Sequence, residues 1–160
     1  KTKWAGRLQW FHWQGHKILI DGAHNPASAK VLRQFVDSPA IGLNRNTSIR
    51  WVMGMLSTKD HADVFKALLR AGDRLYLVPV PDHSTAEPEE LAAIAQEICP
   101  DLATCQTYPG LQPALEAATS SDLPYQPGAI IQPRIDEPLT VLCGSLYLVG
   151  HFLGVTKAEL

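Results

Sequence analysis

Strands and helices alternate along the chain in the order expected of an α/β fold, a Rossmann-like three-layer sandwich on a mostly parallel sheet of about six strands. Three observations carry that expectation. Ile18-Leu19-Ile20 is an apolar, β-branched-rich run of the kind a central parallel strand shows when both of its faces are covered. Amphipathic stretches of helical period follow the strand-like runs, so helices should cover both faces of the sheet. The glycines and polar residues that break the pattern fall just after the strand-like runs, where open α/β sheets bind their ligands.

Arg7 to His12 reads as the first strand, antiparallel to its successor because only a short turn at Gln14-Gly15 separates it from the strand at 17 to 20. A first helix from Pro26 to Val36 is expected to turn Val31, Leu32, Phe35 and Val36 inward. Ser48 to Met53 is a strand, followed by a helix from Asp60 to Arg70 that buries Val64, Phe65, Leu68 and Leu69. Arg74 to Val78 is the next strand. The helix from Glu87 has Pro88 in its first turn, acids at 87, 89 and 90 matching the dipole, and Pro100 to stop it. A strand over Ala103 to Thr107 and an alanine-rich helix from Leu111 to Thr119 come next. Four prolines between Leu123 and Leu139 mark a long loop. The chain closes with a strand at Leu139 to Cys143 and a helix starting near Ser145.

With 160 residues, 46% hydrophobic and 19% charged, the chain suffices for one domain with a real core. A net charge of −2 without like-charge runs argues against a nucleic-acid or membrane surface. No segment is long and apolar enough to span a bilayer, and the first residues resemble neither a signal nor a transit peptide, so a cytoplasmic location is expected. Cys99, Cys105 and Cys143 are odd in number and lack zinc-site spacing, which fits free thiols in a reducing compartment. His12, His16 and His24 suggest a metal, but no carboxylate or thiol completes a set, so none is expected. Trp4, Trp10 and Trp13 read as packing on an edge hairpin or against a partner domain.

The distinctive chemistry lies in Asp21-Gly22-Ala23-His24-Asn25-Pro26. Asn25 is a natural N-cap with proline at the first helical position, and Gly22 allows backbone angles closed to other residues. A helix N-terminus beside an acid and an imidazole suits an anionic ligand. Taken singly, Asp21 reads equally as a ligand contact or as a carboxylate bonded to backbone N–H groups. His24 alone reads as an ordinary loop histidine, Arg7 as a solvated charge, Ser145 as a helix N-terminal residue and Lys59-Asp60 as a helix cap. Their clustering favours function. The strand reading gathers the 21–24, 54–60, 79–83 and 144–145 loops on one edge. Gly54 and Gly144 form no dinucleotide fingerprint.

Trp4-Ala-Gly-Arg7-Leu8, Leu19-Ile-Asp-Gly-Ala-His-Asn-Pro26, Val52-Met-Gly-Met-Leu56 with Lys59-Asp60, and Cys143-Gly-Ser-Leu-Tyr-Leu-Val149 resemble, in order, the C-terminal domain of folylpolyglutamate synthase/dihydrofolate synthase in the Mur ligase superfamily. The resemblance runs to about Phe152. The chain departs from the family pattern at Ala5, where proline is common, at Ser57-Thr58, where an acid is usual, and at Cys143, a frequent threonine. The resemblance implies an ATP-dependent ligase that phosphorylates a folate or dihydropteroate carboxylate and lets the L-glutamate amine attack the acyl phosphate. It implies nucleotide contacts at Arg7 and Asp21. It further implies catalytic, glutamate-positioning roles for His24 and Ser145, with Gly22, Asn25, Lys59 and Asp60 in support. Charge-assisted bonds are worth roughly 1.5–3 kcal/mol, so losing Arg7 or Asp21 should weaken nucleotide use about tenfold to a hundredfold.

No G-x-x-x-x-G-K-[ST] phosphate loop occurs in the chain. In the family that loop and the Mg2+ ligands lie on a larger N-terminal domain. The expectation is therefore a single C-terminal domain over 1–160 of a two-domain enzyme, inactive alone. The rival readings are a stand-alone module that binds a small anion or a protein, and a Mur-type amino-acid ligase domain.

Overall fold

The computed structural model describes residues 7–41, 48–57, 60–120 and 138–158. The strands are β1 (Gln9–Trp13), β2 (His16–Ile20), β3 (Ile49–Met53), β4 (Arg74–Leu77), β5 (Thr104–Thr107) and β6 (Leu139–Cys143). They form one sheet in the order β1-β2-β6-β3-β4-β5. β1 pairs antiparallel with β2, and every other pairing is parallel. Gln14 and Gly15 both hold positive φ, 48° and 80°, the twist-matched geometry of a two-residue hairpin turn. The mixed six-stranded sheet is the one expected, with β1 shifted to 9–13.

The helices are α1 (Pro26–Val36), α2 (His61–Leu68), α3 (Pro88–Ile98), α4 (Leu111–Thr119) and α5 (Leu146–Ala158). Strand side chains alternate between two cores. Leu19, Trp51, Met53, Leu75, Leu77 and Val141 meet α1, α2 and α3. Ile18, Ile20, Val52, Tyr76, Val78 and Leu142 meet α4 and α5. Phe11 extends the second core under the hairpin, its ring edge-on to Phe152 at 5.1 Å. Trp13 is buried, while Trp10 is partly exposed with the Lys17 ammonium 4.3 Å over its ring. Trp4 and most of the proline-rich stretch expected between Leu123 and Leu139 lie outside the described residues.

Two expectations about the helices are corrected. Val31, expected on the inner face of α1, is 57% exposed; Ala29, Leu32, Arg33 and Val36 form the buried stripe. That stripe has i, i+3, i+4, i+7 spacing, and Arg33 is admitted to it because its charge is paired. Its Nη1 donates to Leu68 O at 3.0 Å and meets the buried Asp73 carboxylate at 3.4 Å. α2 is shorter than expected: Leu69 is already extended, though Val64, Phe65, Leu68 and Leu69 are all buried.

Asp73 ties the far, N-terminal edge of the sheet. Besides Arg33 it accepts the Ile49 N–H at 3.0 Å, the Trp51 indole N–H at 3.0 Å and the Arg70 N–H at 3.2 Å. On the same edge, Arg50 Nη1 donates to the Ala118 and Ser120 carbonyls, satisfying the C-terminal end of α4.

Candidate functional site

The C-terminal strand ends meet as the alternation of elements requires. Gly144 N–H, after β6, donates to Ala23 O, after β2, at 2.8 Å. Gly144 holds φ +106°, and a Cβ there would lie 2.6 Å from Gly54 O, after β3. A Cβ on Gly54 would in turn lie 2.8 Å from Val78 O, after β4. These two glycines let three strand ends close against one another, a need of close backbone approach rather than of a dinucleotide loop.

Asp21 is buried at the end of β2 and makes the backbone bonds of its plainer reading. Oδ1 accepts the Leu8 N–H at 3.0 Å and Oδ2 the Ala23 N–H at 2.9 Å. Burial pushes its carboxyl above the ordinary carboxylate value, and the two N–H donors, the Arg7 charge and the His24 ring pull it back down. Arg7 itself is exposed, beside a Leu8 held at φ +45°.

Gly22 does not use left-handed backbone angles, contrary to expectation; the glycines that do are Gly15, Gly72 and Gly144 among the described residues. It is small because the Leu146 side chain at the start of α5 occupies the space of a Cβ. His24 is exposed, with Nδ1 3.0 Å from Gly22 O. A carbonyl only accepts, so that bond requires the proton on Nδ1 and leaves Nε2 without a hydrogen-bond partner among the described residues, on an exposed side chain.

Asn25 caps α1 as expected, its side chain accepting the Ser28 N–H at 2.8 Å, with Pro26 at the first helical position. The reciprocal partner is a residue that sequence reasoning passed over. Ser28 Oγ accepts the His24 N–H at 3.1 Å and the Asn25 N–H at 3.2 Å, and so holds the backbone of His24. The Asn-x-x-Ser spacing of a capping box was the available signal.

Ser145 is buried and caps α5: Oγ accepts the N–H groups of Tyr147 at 3.1 Å and Leu148 at 3.4 Å. Asp60 stands at the N-cap position of α2, but at φ +76° and without a side-chain cap bond, so the expected cap is not made. Lys59 lies outside the described residues. The structure thus brings the Asp21–His24 turn together with Gly144, Ser145 and Leu146, and places Asp60 one loop away after β3.

Among the described residues no cluster of His, Cys, Asp or Glu is arranged to hold a metal ion, and no helix is long and apolar enough to cross a membrane. Cys99, Cys105 and Cys143 are free thiols. Cys143 is fully buried; burial and the nearby Asp21 charge push its thiol well above its ordinary value.

Residues 8–155 match the family model described as dihydrofolate synthetase, C-terminal domain. The chain is 28% identical over 160 residues to a probable dihydrofolate synthetase of Schizosaccharomyces pombe, covering 99% of this chain and 36% of the relative. It is 33% identical over 137 residues to folylpolyglutamate synthase of Lacticaseibacillus casei, covering 83% of this chain and 25% of the relative. It therefore spans about a third or less of these relatives. E. coli FolC in complex with DHPP and ADP has the same fold, with TM-score 0.68 at 24% identity over 98% of this chain and 32% of that one. So does the bifunctional folylpolyglutamate synthase/dihydrofolate synthase of Yersinia pestis complexed with AMPPNP and Mn ion, with TM-score 0.68 at 23% identity over 97% and 32%. By its matched residues the chain belongs to the family of dihydrofolate synthetase C-terminal domains.

Proposed function

We propose that the chain forms one wall of an ATP-dependent ligase site that joins L-glutamate to dihydropteroate, to a folate, or to both. The observation that carries this is the junction of the Asp21–His24 turn with Gly144-Ser145 at the sheet's C-terminal edge, inside a synthase family domain. The other wall, with the phosphate loop, belongs to an N-terminal domain of the same enzyme. The protein works in the cytoplasm.

Arg7 presents a guanidinium fork to the phosphates of ATP. Asp21 keeps acceptor capacity beyond its two backbone bonds and offers it to the ribose hydroxyls. His24 Nε2 faces the incoming glutamate ammonium. In the second half of the reaction the amine nitrogen attacks the acyl-phosphate carbon, the C–N bond forms, the C–O bond to phosphate breaks and inorganic phosphate leaves. The ammonium gives one proton to His24 or to water before the attack, and the nitrogen gives a second to water as the amide forms. Ser145 acts by fixing α5 and the Gly144 junction beside that turn. Gly22 and Asn25 shape the turn, and Lys59 and Asp60 support the rim. Mg2+, when bound, would neutralise the phosphates, with its ligands expected mainly on the N-terminal domain.

The test is glutamate saturation of the full-length protein with His24→Ala. The expected result is a KM for glutamate raised at least tenfold with the KM for ATP unchanged. ATP-dependent glutamylation by residues 1–160 alone would contradict the two-wall account.

A further inference from the structure

The loop after β4 reaches the same edge and has no part in that scheme. It is fastened to the loop after β3 by a ladder of bonds: Ser57 N–H to Ser84 O at 2.8 Å, Ala86 N–H to Met55 O at 2.8 Å, and an isolated bridge between Leu56 and Thr85. Thr85 Oγ1 accepts the Val80 N–H at 2.9 Å across the loop's base. The ladder carries His83 to Tyr147, in the first turn of α5, and the two rings lie 3.9 Å apart between centroids at 31°. Tyr147 follows Leu146, the residue seated on Gly22, so the stacked rings lie at the same C-terminal edge of the sheet as the Asp21–His24 turn.

Both rings are exposed, and Tyr147 keeps 53% of its surface open in spite of the stack. A half-exposed tyrosine backed by a neighbouring ring at the ligand edge of an α/β sheet offers aromatic surface to another flat ring.

We propose that the Tyr147–His83 pair is a stacking platform for a planar heteroaromatic ring of the ligand, a purine or a pteridine. The proposal rests on the ligase reading, which brings one ring of each kind to the site. A π face accepts either ring without hydrogen-bond readout.

The test uses the full-length protein with Tyr147→Leu and Tyr147→Phe, the exposed position making both substitutions compatible with folding. Calorimetry gives Kd for ADP and for tripolyphosphate, which carries phosphates without a base, and steady-state kinetics give the KM for dihydropteroate. Tyr147→Leu is expected to weaken ADP or dihydropteroate about tenfold, the low end of what one base-on-aromatic stack supplies, with tripolyphosphate unchanged and Tyr147→Phe near wild type. Loss confined to ADP assigns the platform to the purine, and loss confined to dihydropteroate assigns it to the pteridine. Unchanged values for both ligands overturn the platform, as does a parallel loss of ADP and tripolyphosphate or a Tyr147→Phe variant as weak as Tyr147→Leu. Those failures leave ADP binding by the unsubstituted protein intact. An unsubstituted protein that does not bind ADP removes the ligase reading and the platform together.

Discussion

Asp21 and Leu8 stand thirteen residues apart in sequence, and the Asp21 carboxylate holds the Leu8 N–H at 3.0 Å while its other oxygen holds the Ala23 N–H. One buried side chain therefore fixes both the segment that carries Arg7 and the turn that carries His24. Leu8 at φ +45° is a conformation that non-glycine residues seldom adopt, and the bond to Asp21 helps to hold it.

Because burial raises the Asp21 pKa in the folded chain above the ordinary value of 3.8, the folded state holds this proton where the unfolded chain has released it. The stability linked to that proton is present below pH 3.8 and is lost as pH rises through the raised value. Urea unfolding of wild type and Asp21→Asn at several pH values isolates the effect, since the other carboxylates cancel in the difference. Wild-type stability should fall relative to Asp21→Asn as pH rises. A relative gain with pH would mean that the N–H donors and Arg7 outweigh burial.

Ser145→Ala removes the cap of α5 and should cost about 1 kcal/mol, or about 2–4 °C in Tm for a domain of this size. Ser145→Thr keeps an oxygen at the cap and should lose less. Thermal denaturation of the two variants separates capping from simple change of bulk.

Gly144→Ala puts a side chain at φ +106° and a methyl 2.6 Å from Gly54 O. The left-handed angle alone costs about 1–2 kcal/mol and the backbone contact adds to it, so a loss of at least about 2 kcal/mol is expected. Denaturant melts would show it, and a wild-type midpoint would mean that the strand ends separate without cost.

Asp73→Ala, far from the candidate site, should cost more, about 3–5 kcal/mol. It removes one of the two carboxylates paired with the buried Arg33, Asp37 remaining at 3.2 Å, and leaves the Ile49 N–H and Trp51 indole without an acceptor. Asp73→Asn should recover part of the loss.

Order and type of the described elements were legible because the signals were local. Pro26 with Asn25, and Pro88 with its acids, opened α1 and α3 where expected, and Ile18-Leu19-Ile20 proved a strand buried on both faces. What was not legible depends on partners distant in sequence. Arg33 pairs with Asp37, four residues on, and with Asp73, forty residues on, and nothing in the α1 segment alone announces the second pairing. Gly22 is small for Leu146, a residue of the final helix, and Gly144 for Gly54. The polar turn was recognisable from its own residues, whereas the Tyr147–His83 stack joins two loops that no local pattern connects.

The most direct test of the central claim is phosphate release by the full-length protein that carries this chain, measured with ATP, dihydropteroate or tetrahydrofolate, and L-glutamate, for wild type and Arg7→Ala. The account predicts release that requires all three substrates, with the KM for ATP raised about tenfold to a hundredfold in Arg7→Ala, the worth of one charge-assisted phosphate contact. Release that does not depend on glutamate, or an Arg7→Ala protein with wild-type use of ATP, would contradict it.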